Sequence, residues 1–170
     1  MQALIQFFFQ LCLLRKAPQD LSGSSALLGV TLVADLLMAM VLAGVAGLSP
    51  GRGLIQGLVD VAFMLALLYG ASHLLNRVPR FKQTATALLG SGAVLGFIAL
   101  VPLSMLPEGG DEQATGGAVL LFLALIVWSV LVTGHILRHT FDLSLRQGVG
   151  IAVVYNFFAY SLVGGLFSGT

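Results

Sequence analysis

Residues 27 to 48 read LLGVTLVADLLMAMVLAGVAGL, a run of Leu, Val, Ala, Gly and Met with one charged side chain, Asp35. At 1.5 Å per residue a helix of about 22 residues covers about 33 Å, which matches the hydrocarbon core of a bilayer with modest tilt. Four later runs have the same character: Leu54 to Leu75, Thr84 to Leu106, Gly116 to Leu137 and Gly148 to Phe167. The segments between them, LSPGRG, NRVPRFK, LPEGGDEQ and RHTFDLSLRQ, carry the Gly, Pro and charged residues expected of loops. No strand-length segment alternates apolar and polar residues with period two, so a membrane barrel is not expected. The pattern predicts an all-α integral membrane protein of five spans.

Composition agrees. Hydrophobic residues make up 58% of the 170 and charged residues 9%, with a mean hydropathy of +1.00. Soluble domains carry about a quarter charged residues. A net charge of +1 gives no reason to expect a nucleic-acid partner; the expected partners are the lipid bilayer and other membrane proteins or a second copy. The N-terminal stretch MQALIQFFFQLCLLRK is too short to span, and it lacks the basic n-region and A-x-A-like site of a signal peptide. Gln2, Gln6 and Gln10 recur every four residues, which makes residues 1–16 an amphipathic helix expected to lie at the interface with Phe7, Phe8 and Phe9 towards acyl chains. Residues 17–170 then form one five-helix membrane domain. The single cysteine, Cys12, rules out an internal disulfide.

In a five-span arrangement Arg15, Lys16, Arg77, Arg80, Lys82, Arg138 and Arg146 fall on one side, and only Arg52 falls on the other, with Glu108, Asp111 and Glu112. Excess Lys and Arg in short loops mark the cytoplasmic side. The expected topology places the N-terminus in the cytoplasm and the C-terminus in the periplasm of a bacterial inner membrane. Arg77, Arg80, Lys82, Arg138 and Arg146 are expected to form a basic cytoplasmic rim facing anionic headgroups.

Helix faces follow from spacing. Thr31, Asp35, Ala39, Ala43 and Gly47 recur at intervals of four, as do Gly148, Ala152, Asn156, Tyr160 and Gly164. Such small seams let membrane helices approach closely, and Gly53 with Gly57 and Gly92 with Gly96 have the GxxxG spacing that serves the same purpose. Asp35 and Asn156 lie at similar depth and are expected to meet inside the bundle. Asp60, three residues after Gly57, is expected near Arg52 and the opposite surface. Intramembrane carboxyls are expensive, so Asp35, Asp60, Asn156, Thr31 and Tyr160 are the polar candidates, either as a proton or cation path or as hydrogen-bonded locks between helices.

His135, His139 and Asp142 have the spacing of a helical metal pair, with His73 at the same end. No Cys or Glu completes the set, and neither a metal nor another cofactor is expected. No GxSxG elbow or phosphate-binding loop frames a nucleophile, so no catalytic residue is assigned.

The segments LLRKAPQDLSGSSALLG before the first span, RFKQTATALLGSGAVLG into the third and FDLSLRQGVGIAVVYNF into the fifth, together with an apolar N-terminal helix and five spans, resemble the bacterial branch of the Yip1-type membrane proteins. The resemblance implies a five-span protein with a cytoplasmic N-terminus. In the eukaryotic relatives it implies membrane trafficking and engagement of small GTPases. The DLYGP-like motif of those relatives is missing from this chain, so GTPase binding is not carried over. The expected function is a non-enzymatic accessory or scaffolding protein that organises partners through its small-residue faces. The alternative is a small transporter or channel subunit in which Asp35 and Asp60 line a proton or cation path.

Overall fold

The computed structural model describes residues 2–105 and 112–167, with the side chains at 112–115 left aside. Six α-helices make up most of these residues, and no strand occurs among them: α1 Gln2–Cys12, α2 Ser25–Val45, α3 Pro50–Leu74, α4 Phe81–Ser104, α5 Glu112–Phe141 and α6 Leu145–Phe167. Five of them, α2 to α6, are long and apolar enough to cross a membrane. The chain is a multi-pass membrane protein. The acidic loop at Glu108 and Asp111 and the end of the third span at Leu106 lie outside the described residues, as do the last three positions, 168–170.

Local chemistry sets the helix ends. Pro50 occupies the first turn of α3, where its missing N–H costs nothing, and the Ser49 hydroxyl accepts a hydrogen bond from the Arg52 N–H. Helix α2 stops at Val45, earlier than the apolar run ends. Gly47 takes φ +75°, the Leu48 N–H donates to the Ala43 carbonyl and the Gly47 N–H to the Gly44 carbonyl, which is the Schellman pattern. Gly47 is therefore a helix terminator, not part of the packing seam. Asn76 and Asp142 take the same left-handed conformation after α3 and α5, at φ 55°.

Close approach organises the bundle. Helix α2 is held between α3 and α4. A Cβ at Gly53 would lie 2.5 Å from the Ala43 Cβ and 2.7 Å from the Ala39 carbonyl oxygen, and one at Gly57 would lie 3.0 Å from the Ala39 Cβ. On the other flank, a Cβ at Gly96 would lie 2.6 Å from the Met38 side chain. Each GxxxG pair thus admits one side of α2. Helices α5 and α6 cross where Gly134 meets Val149 and Gly148 meets the Gly134 carbonyl. Thr84 and Thr140 join α4 to α5 by a buried hydroxyl–hydroxyl hydrogen bond of 2.9 Å.

Helix α1 corrects one expectation. Phe8, Leu11 and Cys12 are buried, Phe8 seats over Gly90 of α4, and these three pack with Ala87, Val132 and Ile136. The Trp128 indole N–H donates to the Cys12 carbonyl at 2.7 Å. Phe8 therefore faces protein, whereas Phe9 is exposed; Gln2 and Gln6 stay outward and Gln10 is half-buried. A narrow face of large side chains fitted to a glycine in α4 gains more contact than the same face would find among mobile acyl chains.

Candidate functional site

The two intramembrane aspartates converge. Asp35 of α2 and Asp60 of α3 line one cavity of about 510 Å³ whose other walls come from α4, α5 and α6. Gly92 of α4 leaves room for the first carboxyl, since a Cβ there would lie 2.7 Å from the Asp35 Oδ1. The second carboxyl accepts a hydrogen bond from the Tyr155 hydroxyl of α6, with 3.3 Å between the oxygens. The Tyr155 ring stacks on Phe63 of α3 at a centroid distance of 6.1 Å. Among the described residues no Lys, Arg or His lines the cavity, so the carboxyls have no basic side chain beside them there.

The rest of the wall is mostly apolar, with Met64, Leu68, Leu89 and Leu137 buried or nearly so. Four lining residues, Leu67 on α3 and Ile151, Val154 and Phe158 on α6, are exposed. They put the mouth between α3 and α6, on the apolar flank of the bundle. The arrangement is a polar floor of two carboxyls and a phenol beneath an opening that faces the hydrocarbon. Chemically it can hold a proton or a small cation, and it can admit an apolar body alongside.

Other polar candidates lie elsewhere. Asn156 does not meet Asp35: its side-chain N–H donates to the Ala152 carbonyl of its own helix at 2.8 Å, and the residue is exposed. Tyr160 is 83% exposed on the outside of α6. The Thr31 hydroxyl donates back to the Leu27 and Leu28 carbonyls within α2. Arg52 is not beside Asp60; its guanidinium donates to the Phe167 carbonyl at 2.8 Å, which ties the start of α3 to the end of α6. A Cβ at Gly164 would have nothing within 4 Å, so this residue is not part of a packed seam within the chain.

Tyr155 is the residue that spacing by fours did not reach. Starting from Gly148 and Ala152, a stride of four arrives at Asn156. A packed helix face alternates strides of four and three, and the buried or cavity-facing series is Gly148, Ala152, Tyr155 and Ala159. A heptad count over α6 would have named it.

The basic positions are partly committed to internal contacts. Arg77 pairs with Asp142 at 2.6 Å, and Arg80 reaches the same carboxylate at 3.2 Å while donating to the His139 and Thr140 carbonyls at the end of α5. Lys82 donates to the Ser25 hydroxyl at 2.9 Å. Arg146 is exposed and Arg138 half-exposed. His135 has its Nε2 2.9 Å from the Lys16 carbonyl, and its ring meets His139 edge-on at 4.6 Å. Among the described residues, no group of three or more His, Cys, Asp or Glu assembles that could hold a metal.

Comparison of the chain with protein-family models, with curated proteins and with solved structures found no match.

Proposed function

We propose that this protein is a small transporter or channel subunit in which Asp35 and Asp60 hold a proton or cation within the membrane. One observation carries the reading: two carboxyls from different helices share a cavity with the Tyr155 hydroxyl and, among the described residues, no basic side chain. An acidic group inside a bilayer costs several kcal/mol unless it is neutralised or partnered, which is why such groups mark ion and proton pathways. A bound proton or small cation removes that cost. The membrane we propose is a bacterial inner membrane, with the Arg77–Lys82 turn on the cytoplasmic side.

The test is flux into liposomes containing the purified protein, read with a pH-sensitive dye and with monovalent-cation indicators. Asp35→Asn and Asp60→Asn should each reduce flux by about tenfold or more, the loss expected when about 1.4 kcal/mol of ion stabilisation is removed. Tyr155→Phe should have a smaller effect. Wild-type liposomes no leakier than empty ones, or full flux through Asp35→Asn, would sink the proposal.

A non-enzymatic scaffolding role, in line with the Yip1-type resemblance, is the second reading. It is favoured by the broad apolar outer faces of α5 and α6. It is weakened because Ala39, Ala43, Gly53, Gly57, Gly92 and Gly96 are spent on contacts inside the chain. Under this reading Asp35→Asn is harmless to the cell, and Asp35→Leu costs about 1–3 kcal/mol of stability by crowding the close contact with Gly92.

A further inference from the structure

Asn156 stands at the midpoint of α6, eleven residues from Leu145 and eleven from Phe167, and it is exposed on the outer surface of the bundle. In a membrane-spanning helix that position is the centre of the hydrocarbon. One side-chain N–H is used on the Ala152 carbonyl, while the second N–H and the Oδ1 have no partner among the described residues. These two remaining groups have neither water nor a partner among the described residues to satisfy them. Its surroundings are patterned. Val153, Asn156, Tyr160 and Val163 follow one another at steps of three, four and three, the spacing of a left-handed helix-pair seam, and Val153 is 52% and Tyr160 83% exposed. A Cβ at Gly164, beside this seam, would meet nothing within 4 Å. By helical rotation the seam lies well away from Tyr155 and the cavity mouth.

From these features we propose that α6 is the interface of a parallel homodimer, with Asn156 of one copy hydrogen-bonded to Asn156 of the other across a twofold axis along the membrane normal. The occupant is a second copy because the amide is self-complementary. The Oδ1 of each copy accepts from the free N–H of the other, and a twofold axis brings the same residue to the same depth on both sides. A headgroup cannot reach the mid-membrane, and an acyl chain offers no hydrogen bond. The inference does not depend on the transport reading, since it uses the opposite face of α6.

The experiment reconstitutes labelled full-length protein into liposomes of phosphatidylethanolamine and phosphatidylglycerol and counts subunits by single-molecule photobleaching over a range of protein-to-lipid ratios. Wild type should pass from monomer to dimer as its density rises. Asn156→Val should weaken the dimer by roughly 3- to 30-fold, the range measured for interhelical hydrogen bonds in membranes, and Asn156→Gln should keep most of it. Introduced cysteines should cross-link copies at Val153→Cys and Tyr160→Cys but not at Val154→Cys, which faces the cavity side. These three variants keep Asn156, so the geometry is tested even if Asn156→Val folds poorly. Monomers at every density, equal cross-linking on both faces, or an unchanged dimer in Asn156→Val would each overturn the proposal.

Discussion

A methyl group added at Gly53 would lie 2.5 Å from the Ala43 Cβ and 2.7 Å from the Ala39 carbonyl oxygen, and the second of these is backbone that cannot swing aside. The α2–α3 contact exists because no side chain stands between the two helices. Lipid offers apolar surface as readily as protein does, so close packing must supply the drive that water supplies elsewhere. Gly53→Ala should therefore destabilise the protein by about 1–3 kcal/mol, the usual cost of overpacking. Gly164→Ala is the control: with nothing within 4 Å it should stay within about 0.5 kcal/mol of wild type within the single chain. Reversible unfolding in mixed micelles, at protein densities where α6 is monomeric, measures both. A tolerated Gly53→Ala would mean that α2 and α3 are farther apart than the structure has them.

At the scale of the element, α1 is the helix whose placement departs most from its sequence pattern. Gln2 and Gln6 of its glutamine stripe are outward, but the opposite face is divided between protein and the exterior, with Phe8, Leu11 and Cys12 buried and Phe9 exposed. Burial pushes the Cys12 thiol up from 9.0 to about 11. The thiolate is the reactive form, so the docked helix keeps Cys12 inert at neutral pH for two reasons, access and protonation. The sign of the linkage follows: stability contributed by keeping the thiol neutral is complete below pH 9.0 and is lost as the pH rises towards 11. A maleimide should label Cys12 slowly in the folded protein and rapidly once the bundle is unfolded. Phe8→Ala, which empties the seat over Gly90, should raise the folded-state labelling rate several-fold, by roughly an order of magnitude for each 1.4 kcal/mol lost from docking. Fast labelling of the wild type would place α1 off the bundle.

For the whole molecule, an odd number of crossings puts the two ends of the membrane domain on opposite sides. The structure gathers the turn before α4, the end of α5 and the residues leading into α2 at one end through the Arg77, Arg80, Lys82 and Gln19 contacts, and closes the other end with Arg52 on the Phe167 carbonyl. Under the proposed orientation the first end faces the cytoplasm, since seven of the eight Lys and Arg lie there in the five-span order. A reporter active only in the periplasm should be silent when fused after Arg80 and active when fused after Glu112 or Thr170. The inverse pattern would reverse the orientation, and a silent C-terminal fusion beside an active Glu112 fusion would remove one span.

By itself the sequence determined the environment, the number of spans and the side of α2 that packs. Those properties follow from counting: hydrophobic length sets what a bilayer accepts, and residues four apart share a helix side whatever surrounds it. Asp35 could be read as inward because Ala39 and Ala43 share its side. Tertiary structure decided which inward groups meet. Asp35 finds Asp60 and not Asn156, because α2 lies between α3 and α4, and α6 reaches the cavity with Tyr155. It also decided that Gly47 ends a helix and that Asn156 and Gly164 face outward. The physical reason is that lipid does not discriminate among apolar faces. A helix hydrophobic all round carries no signal of which side is inside, and only the mutual fit of glycine gaps with the side chains that enter them settles its rotation and its neighbours.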